Sequence, residues 1–407
     1  MRRRVLCALS VCHLAILAAI PVRAGESRTV ARCGAGFLEE QDGQRILHLA
    51  GTPYEMGYQH GALLKEDVHA LVRFLLDVKA KDLKFELGEL KLKPDAKLLI
   101  SSIAAAQKKF IPDWYYEELR GLADGSGVSY QEILICNFIP ELFHCSGFAL
   151  SGKATKDGTL YHGRILDYGC DWRLQEHATL IIARPAGKIP FVNVGYAGFI
   201  GSVTGMNARQ VAIGEMGGGG LGHWAGVPMA ILLRRVLEEA NTLDEGMAIF
   251  RDNPRTCEYY YVLSDGKTGR AVGMEGSWNV FTTIGMGESH AKLPEPVADA
   301  VLLSAGDRYT ELVRRVKAGY GGFDAASARA LMDRPVAMKS NLHSVLFEPR
   351  STKLWVAHAS KEGAPAVTQR WHAFQLTELL EHEPETPAPV FEIRRVASEA
   401  TATASRP

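Results

Sequence analysis

Cys145 opens the stretch "CSGFALSGKATKDGTLYHGRILDYG", and Arg164 and Asp167 lie on its returning half. A thiol is a poor nucleophile until it ionises, and a neighbouring guanidinium stabilises the thiolate. An aspartate nearby can hold a cationic amine or orient a base. Whether the three meet depends on the turn between them. A two-residue turn at Asp157-Gly158 would set Cys145 across from Cys170. A longer loop centred near Thr155 or Lys156 brings Asp167 opposite or nearly opposite Cys145, with Arg164 within reach of its long side chain. Two glycines and a lysine-rich polar middle favour the longer loop. A plainer reading stands beside this one: free cysteines are often simply buried, and Arg-x-x-Asp also occurs as a surface ion pair.

The elements that must position this hairpin divide at Cys145. From about residue 45 to 143 the chain reads mostly helical. Thr52, Pro53 and Glu55 form a helix start with a capping box, and Ser129 with Glu132 repeats the device. The segment "PDWYYEELRGLADGSG" reads as a helix ended by glycine. After Cys145 come short apolar runs bounded by Gly, Asp, Asn and Pro, such as "ATLIIARP", "QVAIGEM" and "LHSVLFEP", with helices interleaved. This uneven alternation predicts an α+β fold with layered sheets, not a regular βαβ array. The expected organisation is a signal peptide over 1–24, a helical region over 25–144, a catalytic domain over 145–382 and a flexible tail over 383–407.

Composition narrows the function. The chain has 407 residues and a formal net charge of zero, with no long polybasic run, which argues against nucleic acid as a main partner. A basic "MRRR", an apolar "VLCALSVCHLAILAAI" and small residues before Gly25 predict a cleaved signal and a secreted or periplasmic protein. An uncleaved anchor is the alternative, and no second apolar run approaches the roughly 20 residues a span needs. Beyond the signal, Cys33, Cys136, Cys145, Cys170 and Cys257 are odd in number, so in an oxidising compartment at least one thiol stays unpaired or pairs between chains. The pairing of Cys33, Cys136, Cys170 and Cys257 is left open. The absence of CxxC disfavours zinc, "GEMGGGG" lacks the Lys-Ser/Thr ending of a phosphate-binding loop, and no metal or cofactor is expected.

The hairpin "CSGFALSGKATKDGTLYHGRILDY" resembles the nucleophile hairpin of N-terminal-nucleophile hydrolases that use cysteine, and its Gly-Arg-x-x-Asp part is similar to that of the choloylglycine hydrolase and acid ceramidase group. The match is closest to the peptidase C45 family. "GTPYEMGYQHG" and "EELRGLADGSGVSYQEIL" upstream, with "GMNARQVAIGEMGGGG" and "SVLFEPRSTKLWVAHA" downstream, carry the resemblance over roughly residues 45 to 380. It implies a four-layer αββα sandwich and a self-cleaving precursor. Cys145 would attack the carbonyl of His144, giving an α/β heterodimer whose second chain begins at Cys145, and the freed amine would serve as base for the thiol. Arg164 would support the thiolate or contact substrate, and Asp167 would hydrogen-bond the amine. A linear amide, small or lipid-like, is the implied substrate, with water or an amine as acyl acceptor.

The chain departs from the family where an oxyanion-hole asparagine is expected after "GMN", because that count reaches Met216 and Gly217. Backbone N–H groups of the glycine run are one substitute; a flexible loop is the other reading. A second family asparagine corresponds to Ser289, before His290. His290 is read as a surface histidine ahead of a pocket residue, and Glu215 as a strand-end carboxylate ahead of a proton carrier. Asn341 either lines the site or caps a strand, and His60 is read as structural. Two other functions remain open: an uncleaved cysteine hydrolase with a separate base such as His162 or His290, and a secreted binding protein that has lost catalysis.

Overall fold

The computed structural model describes residues 27–80, 96–139, 145–219, 222–385 and 387–395. The signal segment, His144 and the last twelve residues lie outside the described residues. In chain order the strands are β1 Ser27–Cys33, β2 Gly36–Gln41, β3 Gln44–Gly51, β4 Ser146–Gly152, β5 Gly158–Asp167, β6 Ala178–Pro185, β7 Phe191–Tyr196, β8 Thr204–Asn207 and β9 Val211–Gly219. They continue as β10 Glu258–Asp265, β11 Arg270–Ser277, β12 Phe281–Gly285, β13 Ala300–Leu303, β14 Asn341–Glu348, β15 Lys353–His358, β16 His372–Gln375 and β17 Val390–Phe391. One sheet runs β12-β11-β10-β9-β8-β7-β6-β3-β2-β1-β17, and the other β13-β4-β5-β14-β15-β16.

Strand periodicity explains how the sheets stack. Alternate residues of a strand face opposite sides. Ile46 of β3 and Val192 of β7 pack with Val345 and Phe347 of β14, so these faces form the interior between the sheets. Their neighbours Leu47 and Phe191 face the other way, into a core shared with helices that include Pro53–Leu63 and Met229–Glu239. On the far side, Phe148 and Ile165 of the smaller sheet pack against Leu312 and Val316 of the helix Asp307–Gly319. The result is a layered α+β fold, as the residues predict, and the αββα sandwich that the resemblance implies.

The predicted helix signals are in place. Thr52 and Glu55 form a complete capping box with Pro53 in the first turn, Ser129 caps Tyr130–Asn137, and Gly127 ends Asp113–Ser126 in a left-handed conformation. The two upstream motifs, "GTPYEMGYQHG" and "EELRGLADGSG", turn out to be one packing device. A Cβ on Gly57 or on Gly121 would collide with the backbone of the opposing helix, so these glycines let Pro53–Leu63 and Asp113–Ser126 touch backbone to backbone.

Two expectations need correction. The region over 25–144 is not helical throughout, because Ser27–Gly51 forms three strands at one end of the large sheet. Its alternation is masked by polar residues such as Glu39 and His48, which are buried here as partners of one another. Residues 383–385 and 387–395, expected as tail, run beside the first strand. Pro389 O accepts from Arg32 N at 2.8 Å and Thr29 Oγ1 accepts from Glu385 N at 2.8 Å. Among the described residues no helix is long and apolar enough to cross a membrane.

Candidate active site

The hairpin of β4 and β5 follows the longer-loop register. Ser146 pairs with Ile165 and Gly147 with Arg164, which leaves Cys145 just before β4 and one position out of register with Asp167. On its other edge β5 pairs with β14, Asp167 opposite Asn341. Cys145 is 4 % exposed and forms part of the wall of a cleft of about 760 Å³. Met216, Met274, Ile284, Leu303 and Met338 give the cleft an apolar lining, and Gly218, Gly219, Ser304 and Arg308 add polar groups.

Arg164 is fully buried between the two sheets, and its guanidinium reaches Glu215 Oε2 of β9 at 3.1 Å. Gly214 makes room for it: a Cβ there would come within 2.6 Å of Arg164 Cγ. The charges of both Arg164 and Glu215 act on the Cys145 thiol, the guanidinium favouring its ionised form and the carboxylate opposing it. Burial pushes the Cys145 thiol up to about 12, while Arg164 and the backbone of Asp167 work the other way. The intact chain therefore holds a neutral thiol at ordinary pH.

Glu215 is a buried mid-strand group, not the ordinary strand-end carboxylate that the sequence favours. Burial raises it to about 7 against the pull of Arg164. Asp167, raised by burial to about 6 against the pull of Arg308, accepts from the Met338 N–H at 3.0 Å and pairs with the Arg308 guanidinium. Arg308 also donates to Ser146 Oγ at 2.6 Å, and that hydroxyl meets Ser304 Oγ at 2.7 Å. Arg308 and Ser304 are the residues sequence reasoning missed. Arg308 reads as an ordinary charge on the amphipathic helix Asp307–Gly319, and its only signal is the "SAGDR" break before that helix.

These two carboxyls set a pH dependence of stability. Each is raised in the folded state, so the native chain binds more protons than the unfolded one, through Asp167 between about pH 4 and 6 and through Glu215 between about pH 4.5 and 7. Stability is then greatest at the acid end and falls as pH rises through each window, by at most about 1 kcal/mol per pH unit for each group while it titrates. Urea midpoints at pH 5 and pH 7 measure the fall, and Glu215→Gln should make it shallower.

The remaining candidates separate. Gly217 lies at a bulge with φ +75°, and its N–H is already taken by the Glu215 carboxylate, so it is not a free oxyanion donor; Met216 and Gly218 stay on the cleft wall. His290, read as a surface residue, is half-buried on the cleft wall, and its Nδ1 accepts from the Lys292 N–H at 3.2 Å. Ser289 is exposed and outside the lining. Asn341 is buried with its amide spent on the sheet: it donates to Leu166 O and His343 O and accepts from Ser344 Oγ and Val367 N. His162 is buried away from the cleft walls, with Nδ1 at 2.8 Å from Ser264 Oγ, so it is badly placed to serve as a separate base. His60 accepts from Gly198 N at 2.9 Å, a structural role as expected. The five cysteines beyond the signal are all unpaired, with Cys170 half-buried and the other four buried.

No family model matches the chain. It is 26% identical over 381 residues to the protein dcd1B of Dictyostelium discoideum, across 84% of this chain and 76% of that one. It is 24% identical over 185 residues to the N-acylethanolamine-hydrolyzing acid amidase of Cavia porcellus, across 43% of this chain and 51% of the amidase. The chain thus spans about half the length of that amidase. A solved Caenorhabditis elegans orthologue of the same amidase aligns with a TM-score of 0.40 at 17% identity, over 51% of this chain and 93% of that one. In sequence, the chain is thus similar to N-acylethanolamine-hydrolyzing acid amidases and, at 26% identity over 191 residues, to the acid ceramidase of Rattus norvegicus, across 39% of this chain and 46% of that one.

Proposed function

We propose that the chain is a self-processing cysteine amidohydrolase that cleaves linear amides bearing an apolar acyl group. The observation that carries this reading is the setting of Cys145. It immediately precedes a strand beside a mainly apolar cleft, between a buried Arg164–Glu215 pair and an Asp167–Arg308 pair. In the intact chain that thiol is neutral and has no histidine base in hydrogen-bonding position among the described residues.

Self-cleavage supplies the missing base. The Cys145 sulfur adds to the His144 carbonyl carbon, the C–N bond breaks, and the acyl group passes from nitrogen to sulfur. Water then hydrolyses the thioester, leaving a carboxylate on His144 and an amine on Cys145. That amine takes the proton of its own thiol, with Arg164 favouring the thiolate. Asp167, next to Cys145 in the hairpin register, accepts a hydrogen bond from the amine and keeps it in place. Attack on a substrate amide forms an acyl thioester and expels the amine product with the proton. Water returns the free thiol, and an amine acceptor in its place would make the same enzyme an acyltransferase.

The apolar side chains on the cleft wall suit an alkyl or acyl group, and an amidase of N-acylethanolamines among the homologues fits that chemistry. The apolar N-terminal segment that reads as a signal supports a site of action outside the cytoplasm. A panel of N-acyl amines and N-acyl amino acids of increasing chain length tests the substrate class. The expected result is kcat/KM rising with acyl length, by about 3- to 4-fold per methylene buried. Equal rates for acetyl and long-chain amides would remove the cleft from substrate binding.

A further inference from the structure

We propose that Glu39, His48 and His382 form a binding site for one divalent transition metal ion, zinc above all, that clips the C-terminal segment onto the first strands. Glu39 on β2 and His48 on β3 face the same side of neighbouring strands, since Phe37 pairs with His48 and Glu39 with Ile46. His382 arrives from the far end of the chain, after the short helix Leu376–Leu379. One ligand atom from each residue lies within 4.8 Å of the others. The individual spacings are closer still: Glu39 Oε1 is 3.1 Å from His48 Nε2 and 3.0 Å from His382 Nδ1.

Those spacings suit zinc. Bonds of about 2.0–2.1 Å at tetrahedral angles put neighbouring ligand atoms about 3.3–3.5 Å apart, so each imidazole need move from Glu39 Oε1 by only a few tenths of an ångström, with the two imidazole nitrogens already within 4.8 Å of one another. Two imidazoles and a carboxylate are a donor set suited to zinc. The site is also held. The His48 ring stacks on Phe37 at 4.0 Å between centroids and 5° between planes. Ser27 Oγ donates to Glu39 Oε2 at 2.8 Å, which leaves Oε1 for a metal. Glu39 and His48 are buried, whereas the His382 side chain is 32 % exposed, which opens a path for the ion and a fourth position for water. Metal on His48 Nε2 moves the ring proton to Nδ1, a buried atom without a hydrogen-bond partner. That missing outer contact sets the affinity below that of sites with a complete second layer. After the proposed cut at Cys145, two ligands would belong to one chain and the third to the other, so the ion would tie the pair together.

Titration of chelator-treated wild-type protein with Zn(II) by calorimetry, and with Co(II) by visible absorption, reads the site directly. The expected result is one equivalent bound, a four-coordinate Co(II) spectrum and a Zn(II)-dependent rise in Tm. His382→Ala, at the exposed edge, should weaken binding at least about tenfold, and Glu39→Gln should do the same while keeping the local shape. Circular dichroism selects whichever variant is folded for the comparison. Wild-type protein that binds no Zn(II), or folded variants that bind it as tightly as wild type, would overturn the proposal. Neither residue touches the cleft, so amidase failure and metal-site failure are separate results.

Discussion

Cys145→Ala yields a folded, single chain that turns over no amide. The expected loss in turnover is at least about 10⁴-fold, the scale seen when a covalent nucleophile is removed. Stability should change by no more than about 1 kcal/mol, because one small buried group is replaced by another. Gel mobility, circular dichroism and an amide assay read the three effects separately. A variant that still cleaves itself, or one that keeps a tenth of the wild-type rate, would remove the thiol from the mechanism. Cys145→Ser adds a finer comparison: its hydroxyl can perform the same acyl shift, so slow cleavage with weak turnover is expected there.

Arg164→Met carries the second large effect, and it acts on two properties at once. The guanidinium is buried with Glu215 at 3.1 Å and its charge favours the ionised form of the Cys145 thiol. Removing it leaves a carboxyl in the space between the sheets with no counter-charge, at a cost of about 3–5 kcal/mol. Turnover should fall by about 10²–10³-fold through loss of the group that favours the thiolate. The double variant Arg164→Met/Glu215→Gln separates the two consequences, since a neutral amide needs no counter-charge. It should regain most of the stability by urea unfolding and none of the turnover. Recovery of turnover in the double variant would make Arg164 a structural residue only.

The parts of the site that the sequence displays are those that one hairpin holds. Cys145, Arg164 and Asp167 sit on adjacent strands joined by a short loop, so turn chemistry and register are enough to bring them together. The capping residues Thr52 and Ser129 were equally legible, because caps are local. Arg308, Ser304 and Met338 come from other elements more than 130 residues after Cys145, and only the stacking of a helix and β13 against the hairpin brings them to Asp167 and Ser146. Glu215 was misread for a related reason. A carboxylate at the end of an apolar run looks ordinary until the opposite sheet supplies Arg164. Gly217 shows the limit of reading a glycine run as free backbone donors, since its N–H is spent on the carboxylate two residues before it. The Glu39, His48 and His382 cluster had no spacing to recognise at all, because its third member follows the second by more than 300 residues.

The central claim is that the nucleophile becomes a chain terminus at Cys145. Intact mass and N-terminal sequencing of purified wild-type protein test it most directly. The account predicts two fragments held together under native conditions, the second beginning Cys-Ser-Gly-Phe, with amidase activity appearing in step with their formation. A single chain that spans Cys145 unbroken and hydrolyses amides at full rate would contradict it.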